Sequence, residues 1–213
     1  MQQARPENRR LVLEMPILAM GKTPRPSPST SSRLKRAVWI WIRSTHVWAS
    51  PWRGLAFDHV QFSYQPGARV LRDINALILP GECVAVIGPS GAGKSTLVQL
   101  VPRFFDPESG VVRWNGVDLR EFRLRDWRSS VSLVLQEPLL LRGTIAENLA
   151  FGRPGATRDE IEVAAAAAQA DAFIRRLPQG YQSMVGDGAV RLSVGEKQRL
   201  NLARAFLKDA PIP

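Results

Sequence analysis

Five apolar residues, Cys83-Val84-Ala85-Val86-Ile87, run directly into Gly88-Pro89-Ser90-Gly91-Ala92-Gly93-Lys94-Ser95, and no other stretch constrains the fold as tightly. A short apolar run of this kind is the mark of a strand buried on both faces. Leu97, Leu100, Val101 and Phe104 then recur on one side, which predicts a helix from Gly93 to Phe104. A buried strand, a glycine-rich turn with the pattern G-x-x-x-x-G-K-S and a helix form a phosphate-binding arrangement. Small residues let the backbone wrap a polyphosphate, with N–H groups turned inward and the helix dipole behind them. In that arrangement Lys94 reaches the β- and γ-phosphates, and the Ser95 hydroxyl joins the shell of a Mg²⁺ ion. Gly21-Lys22-Thr23 has the look of a second loop end. Pro16 stands where its first glycine belongs, and no β-branched strand precedes it, so it is read as chance.

Charge divides the chain. Residues 1–53 carry ten Lys/Arg against Glu7 and Glu14, whereas residues 54–213 carry 19 against 17 acids. The net charge of +10 is therefore mostly a basic front end on a nearly neutral body, and no nucleic-acid partner is expected. That front end holds Pro6, Pro16, Pro24, Pro26, Pro28 and Pro51, the tract Ser27-Pro28-Ser29-Thr30-Ser31-Ser32, and four of the six tryptophans. Val38 to Ile42 is a candidate short strand. Otherwise residues 1–53 read as a disordered extension, with a transit peptide or a basic arm for nucleic acid or anionic lipid as alternatives. The single cysteine, Cys83, leaves the fold to its core. The longest apolar run near the N-terminus, Ala37 to Ile42, is far short of the roughly 20 residues that a membrane-spanning helix needs.

From residue 54 the pattern becomes regular. Strands are expected at Phe57 to Tyr64, Val70 to Leu79, Cys83 to Ile87, Val111 to Trp114 and, as a further buried strand, Val131 to Leu135. Turns fall at Gly67-Ala68, Pro80-Gly81 and Asn115-Gly116. Residues 144–208 read as mostly helical. Strands first and helices later predict an α/β core with an inserted helical subdomain. His46 and His59 have no ligand spacing and read as surface residues. Arg120, Arg123, Arg125 and Arg128, interspersed with Asp118, Glu121 and Asp126, read as a solvated face.

Downstream residues narrow the class. Leu192-Ser193-Val194-Gly195-Glu196-Lys197-Gln198-Arg199, followed by Leu200-Asn201-Leu202-Ala203-Arg204-Ala205, resembles the signature segment of ATP-binding cassette (ABC) proteins. Gln136 resembles that family's Q-loop glutamine. Tyr64, 24 residues ahead of Gly88, resembles its adenine-stacking aromatic. Val185-Gly186-Asp187 resembles the short loop that faces the membrane domain in exporters. The resemblance covers residues 55–213 and is nearest to the exporter type. Val194 replaces the usual glycine.

The resemblance implies a phosphate-loop NTPase core with an antiparallel β subdomain and an inserted helical subdomain, incomplete at the C-terminus. It implies ATP and Mg²⁺ as ligands. Gly88, Pro89, Ser90, Gly91, Ala92, Gly93, Lys94, Ser95 and Thr96 would hold the phosphates, Tyr64 the adenine, and Ser95 and Gln136 the metal. Lys94 and Gln136 would act on the reaction. Ser193, Gly195 and Glu196 would cap the nucleotide of a second such domain, packed head to tail. A transporter transmembrane domain is the further partner, and the cytoplasmic face of a membrane the location. The chain ends at Pro213, where the family begins the strand that carries its metal-binding aspartate and catalytic glutamate. A switch histidine follows in the family. Weak hydrolysis and an open edge on Cys83 to Ile87 are therefore expected, with Ile212 between two prolines offering no replacement. A non-catalytic fragment is the alternative function. A different nucleotide enzyme, such as a kinase, is disfavoured by the signature segment.

Overall fold

The computed structural model describes residues 10–14, 38–41, 54–186, 190–210 and 212. Gly21-Lys22-Thr23, His46 and Asp187 lie outside them. Nine strands and six α-helices are described: β1 (Arg10–Glu14), β2 (Val38–Trp41), β3 (Leu55–Ser63), β4 (Arg69–Ile78), β5 (Cys83–Ile87), α1 (Lys94–Leu100), β6 (Ser109–Trp114), β7 (Val117–Asp118), α2 (Leu124–Ser129), β8 (Gly143–Thr144), α3 (Ile145–Ala150), α4 (Arg158–Ala167), α5 (Asp171–Ile174), β9 (Met184–Val185) and α6 (Val194–Lys208). The described residues up to Val131, with Ile212, form one compact unit, and those from Ser132 onward form a second.

The first unit has two sheets. One is antiparallel, in the order β4-β3-β6-β7. Its inner face is set by alternation along β3, where Leu55, Phe57, Val60 and Phe62 are buried. The alternation slips by one between Phe57 and Val60, where the pairing with β4 shifts register. His59 sits in that slip with φ 49°, and the extra residue returns Val60 and Phe62 to the core face. His59 is on the surface, as expected, and its Nδ1 lies 2.6 Å from Asp73 Oδ1. The second sheet has the order β1-β5-β2. Val84 and Val86 of β5 share one core with Leu97 and Leu100 of α1 and with β3 and β4. Trp127 closes that core, its indole N–H donating to the Val101 carbonyl at 2.6 Å.

Four expectations change. Helix α1 stops at Leu100 rather than Phe104, because Pro102 has no N–H to donate, and Phe104 is half exposed. The edge of β5 is not open: β1 pairs along one side and β2 along the other. Val131 to Leu135 is not a buried strand. Only Val131 forms a bridge, parallel to Ile212, and Val134 and Leu135 are exposed. A strand needs a neighbour along its length, and one bridge does not supply it. Ile212 does pair despite its flanking prolines. Its own N–H donates to the Ser130 carbonyl at 3.2 Å, and the side chain is buried.

The second unit is the helical subdomain. Helices α3, α4 and α6 share a core of Ile145, Leu149, Ile161, Ala164, Leu200 and Ala203. Each begins with a capping box: Thr144 with Glu147, Thr157 with Glu160, and Ser193 with Glu196. Small residues allow close packing. A Cβ on Gly152, just past α3, would lie 2.4 Å from the Arg204 carbonyl oxygen of α6. Replacing Gly152 with Ala is therefore expected to destabilise this unit by about 1–3 kcal/mol. Denaturant unfolding followed by far-UV circular dichroism would show it, and an unchanged midpoint would contradict the packing.

Candidate functional site

The loop that follows β5 is shaped by its glycines. Gly93 has φ +89°, in the left-handed region, and a Cβ there would sit 2.9 Å from Leu71 Cδ2 and 3.1 Å from the Val70 carbonyl oxygen. Glycine is therefore required both for the turn and for the close approach of β4. Gly88, Pro89, Ser90 and Gly91 are exposed at the crest of the loop, while Ala92 and Gly93 are buried at its base. Turns of this kind present successive backbone N–H groups to anions.

Lys94 opens α1 and is only 7% exposed. Its ammonium donates to the carbonyl oxygens of Gly88 at 2.9 Å and Pro89 at 2.7 Å. Among the described residues no carboxylate pairs with it. A buried cation held by neutral carbonyls alone lacks a counter-charge, so its surroundings favour an anion at the loop. Ser95, beside it, is exposed. Thr96 is buried, and its hydroxyl is engaged elsewhere, 3.0 Å from the Tyr64 hydroxyl.

Tyr64 follows β3 and is placed from three sides. Its hydroxyl donates to Gln99 Oε1 at 3.1 Å while meeting Thr96. Its ring stands edge-on to Phe62 and Phe105, with centroids 5.0 and 5.3 Å away. The residue remains 52% exposed, so a braced aromatic surface is left free for a planar partner.

In the second unit, Gln136 is exposed in a bend. The backbone on both sides of it is held by α6. Asn201 donates to the Leu135 carbonyl at 3.2 Å, and Arg204 donates to the Leu139 carbonyl. Arg204 also donates to the Asn148 carbonyl at 2.7 Å, and Asn148 in turn holds both backbone groups of Leu141. Burial lowers the Arg204 guanidinium pKa, and carbonyl acceptors carry its charge. Asn148, Asn201 and Arg204 are positioning residues that the sequence reading did not single out. The available signal was two polar residues three apart on one side of an amphipathic helix.

At the other end of α6, the Ser193 side chain accepts from the Glu196 N–H, and Glu196 Oε2 accepts from the Ser193 N–H at 2.8 Å. Gly195 faces open space apart from Arg199 Nη1, 3.7 Å from where its Cβ would be. Val194 is 69% exposed, so the substituent costs no packing.

A strand, a glycine-turned loop, a buried lysine and a short helix define a phosphate-loop nucleotide-binding unit. The chain belongs to the ABC transporter family: the family model described as "ABC transporter" matches residues 71–213. It carries the ATP-binding domain of the exporter kind. It is 50% identical over 151 residues to the fatty acid ABC transporter ATP-binding/permease protein of Mycobacterium tuberculosis, covering 71% of this chain and 24% of that protein. It is 48% identical over 161 residues to the ATP-dependent lipid A-core flippase of Burkholderia pseudomallei, covering 74% of this chain and 27% of the flippase. A bacterial Atm1-family ABC exporter with ATP bound matches with a TM-score of 0.67 and 34% identity, over 79% of this chain and 29% of that one. The chain spans about a quarter of the length of the curated relatives it matches. Among the described residues no helix is long and apolar enough to cross a membrane.

The capping box of α6 responds to pH. Hydrogen bonds from the Ser193 backbone and then its side chain hold the Glu196 carboxyl below its ordinary value of 4.5. A depressed carboxylate contributes stability that is present above the unfolded value and is lost as pH falls through the folded one. The second unit is expected to lose stability as pH drops below 4.5, and Glu196→Gln should flatten that part of the profile. Melting temperatures from pH 3 to 7 for both forms check this; parallel profiles would contradict it.

Proposed function

We propose that this chain binds Mg-ATP at Gly88–Thr96 and serves as the engine domain of an exporter. The observation that supports this most is Lys94, a buried ammonium whose described partners are two loop carbonyls. In the proposed complex Lys94 turns from those carbonyls to the β- and γ-phosphates. Backbone N–H groups of Gly91, Ala92 and Gly93 donate to phosphate oxygens, and the start of α1 adds its positive end. Tyr64 stacks on the adenine, its ring kept in place by Phe62, Phe105 and α1. Ser95, exposed at the loop, offers the hydroxyl oxygen that a hard divalent ion takes. Bound Mg²⁺ supplies charge neutralisation on the phosphate oxygens.

Ser193, Gly195 and Glu196 have a different part. They stand at the start of a 15-residue helix and cap the nucleotide held by a second ATP-binding domain, head to tail. Such a pair couples ATP binding and hydrolysis to transmembrane export, from the cytoplasmic face of the membrane and against a transmembrane domain. Relatives named for fatty acid and lipid A-core substrates support export as the class of work.

Lys94→Ala is the direct test. Saturating Mg-ATP should raise the melting temperature of the unsubstituted chain by several degrees, because a ligand bound only by the native state stabilises it. The Lys94→Ala chain should show at least a tenfold weaker affinity and no shift at the same concentration. An equal shift in both would place the nucleotide elsewhere.

A further inference from the structure

Strand β5 lies between two strands from the first fifth of the chain. β1 runs parallel to it, from Arg10 opposite Cys83 to Glu14 opposite Ile87. β2 runs antiparallel, from Val38 opposite Val86 to Trp41 opposite Cys83. The need for such neighbours is physical. Val84, Ala85 and Val86 are at most 3% exposed, so water does not reach their backbone groups. A buried N–H or C=O without a partner is costly, and β1 and β2 together pair both edges of β5. The strand then passes without a break into the phosphate loop, with Glu14 in register beside Ile87, one residue before Gly88. A slip of one residue would reverse the faces of β5 and carry the loop with it.

We propose that Arg10–Glu14 and Val38–Trp41 are strand donors in cis to the nucleotide-binding unit: their pairing fixes β5, and through it the phosphate loop. The N-terminal segment is then a working part of the site, and its release would weaken nucleotide binding. Chain geometry favours donation within one molecule. Glu14 and Val38 flank the same end of β5, about 10 Å apart at two strand spacings. The 23 intervening residues reach several times that distance, so the second strand docks at a high effective concentration. The effect on affinity rests on the nucleotide reading above; the pairing does not.

Cys83 is the only cysteine and has Arg10 and Trp41 as its register partners, which provides the test. Adjacent register positions are within disulfide reach, whereas Glu14 lies four residues further along β5, about 13 Å away. In the full chain at low concentration, mild oxidation should close an intramolecular bridge in Arg10→Cys and Trp41→Cys but not in Glu14→Cys. Mass spectrometry and non-reducing gels read the outcome. The bridged Trp41→Cys chain should retain Mg-ATP binding and melt several degrees higher than its reduced form. Equal bridging at all three positions, no bridging, or only crosslinked dimers would overturn donation in cis. A double Val12→Pro, Ile40→Pro chain, which places proline inside both paired strands, should bind Mg-ATP at least tenfold more weakly. If bridging succeeds and the proline chain binds as tightly as the unsubstituted one, the link to the loop is overturned. If the unsubstituted chain binds no nucleotide, the function proposed above fails while bridging still decides the pairing.

Discussion

A five-residue strand buried on both faces must find a hydrogen-bond partner for every backbone group it carries, and β5 is that strand. Its side chains join the core with α1, β3 and β4, and its C-terminal end becomes the phosphate loop. The loop therefore inherits its position from a strand seated in the core of the first unit. Gly93 shows how little slack remains, since even a methyl group there would press on Leu71 and the Val70 carbonyl. Rigidity of this kind suits a site that binds through many backbone donors at once, because each must already point the right way.

The second unit solves a different problem with one element. Helix α6 carries the Ser193 capping box at its start and Asn201 and Arg204 further along. Those two side chains hold the backbone on either side of Gln136. Arg204 is half-buried, has no acidic partner in any described salt bridge, and gives its donors to the Leu139 and Asn148 carbonyls. Such an arrangement ties the bend to the helix instead of to neighbouring side chains, so bend and helix start are connected through one rod.

What was legible in the sequence was local. The run Cys83 to Ile87 and the loop after it were readable because strand, turn and helix follow one another with no intervening choice. Ser193 with Glu196 was readable as a capping box for the same reason. Pro102 was the signal that α1 ends early, and the apolar period through Phe104 obscured it. Val131 to Leu135 has the composition of a buried strand, yet composition does not say whether a neighbour lies alongside, and among the described residues only Ile212 does, at one position. The pairing of β1 and β2 with β5 joins residues far apart in sequence, and backbone hydrogen bonds leave no trace in side-chain identity. Asn201 and Arg204 were missed because their acceptors are carbonyls 56 to 66 residues away.

The proposed recognition of a nucleotide's outer phosphates by the loop after β5 is open to titration calorimetry of the full chain with Mg-ATP and with Mg-AMP. The buried Lys94 ammonium and the loop N–H groups act on phosphates that AMP lacks, so Mg-ATP should bind on the order of 100-fold more tightly. Equal affinity for the two would mean that recognition rests on the base and Tyr64, and that the loop does not read the outer phosphates.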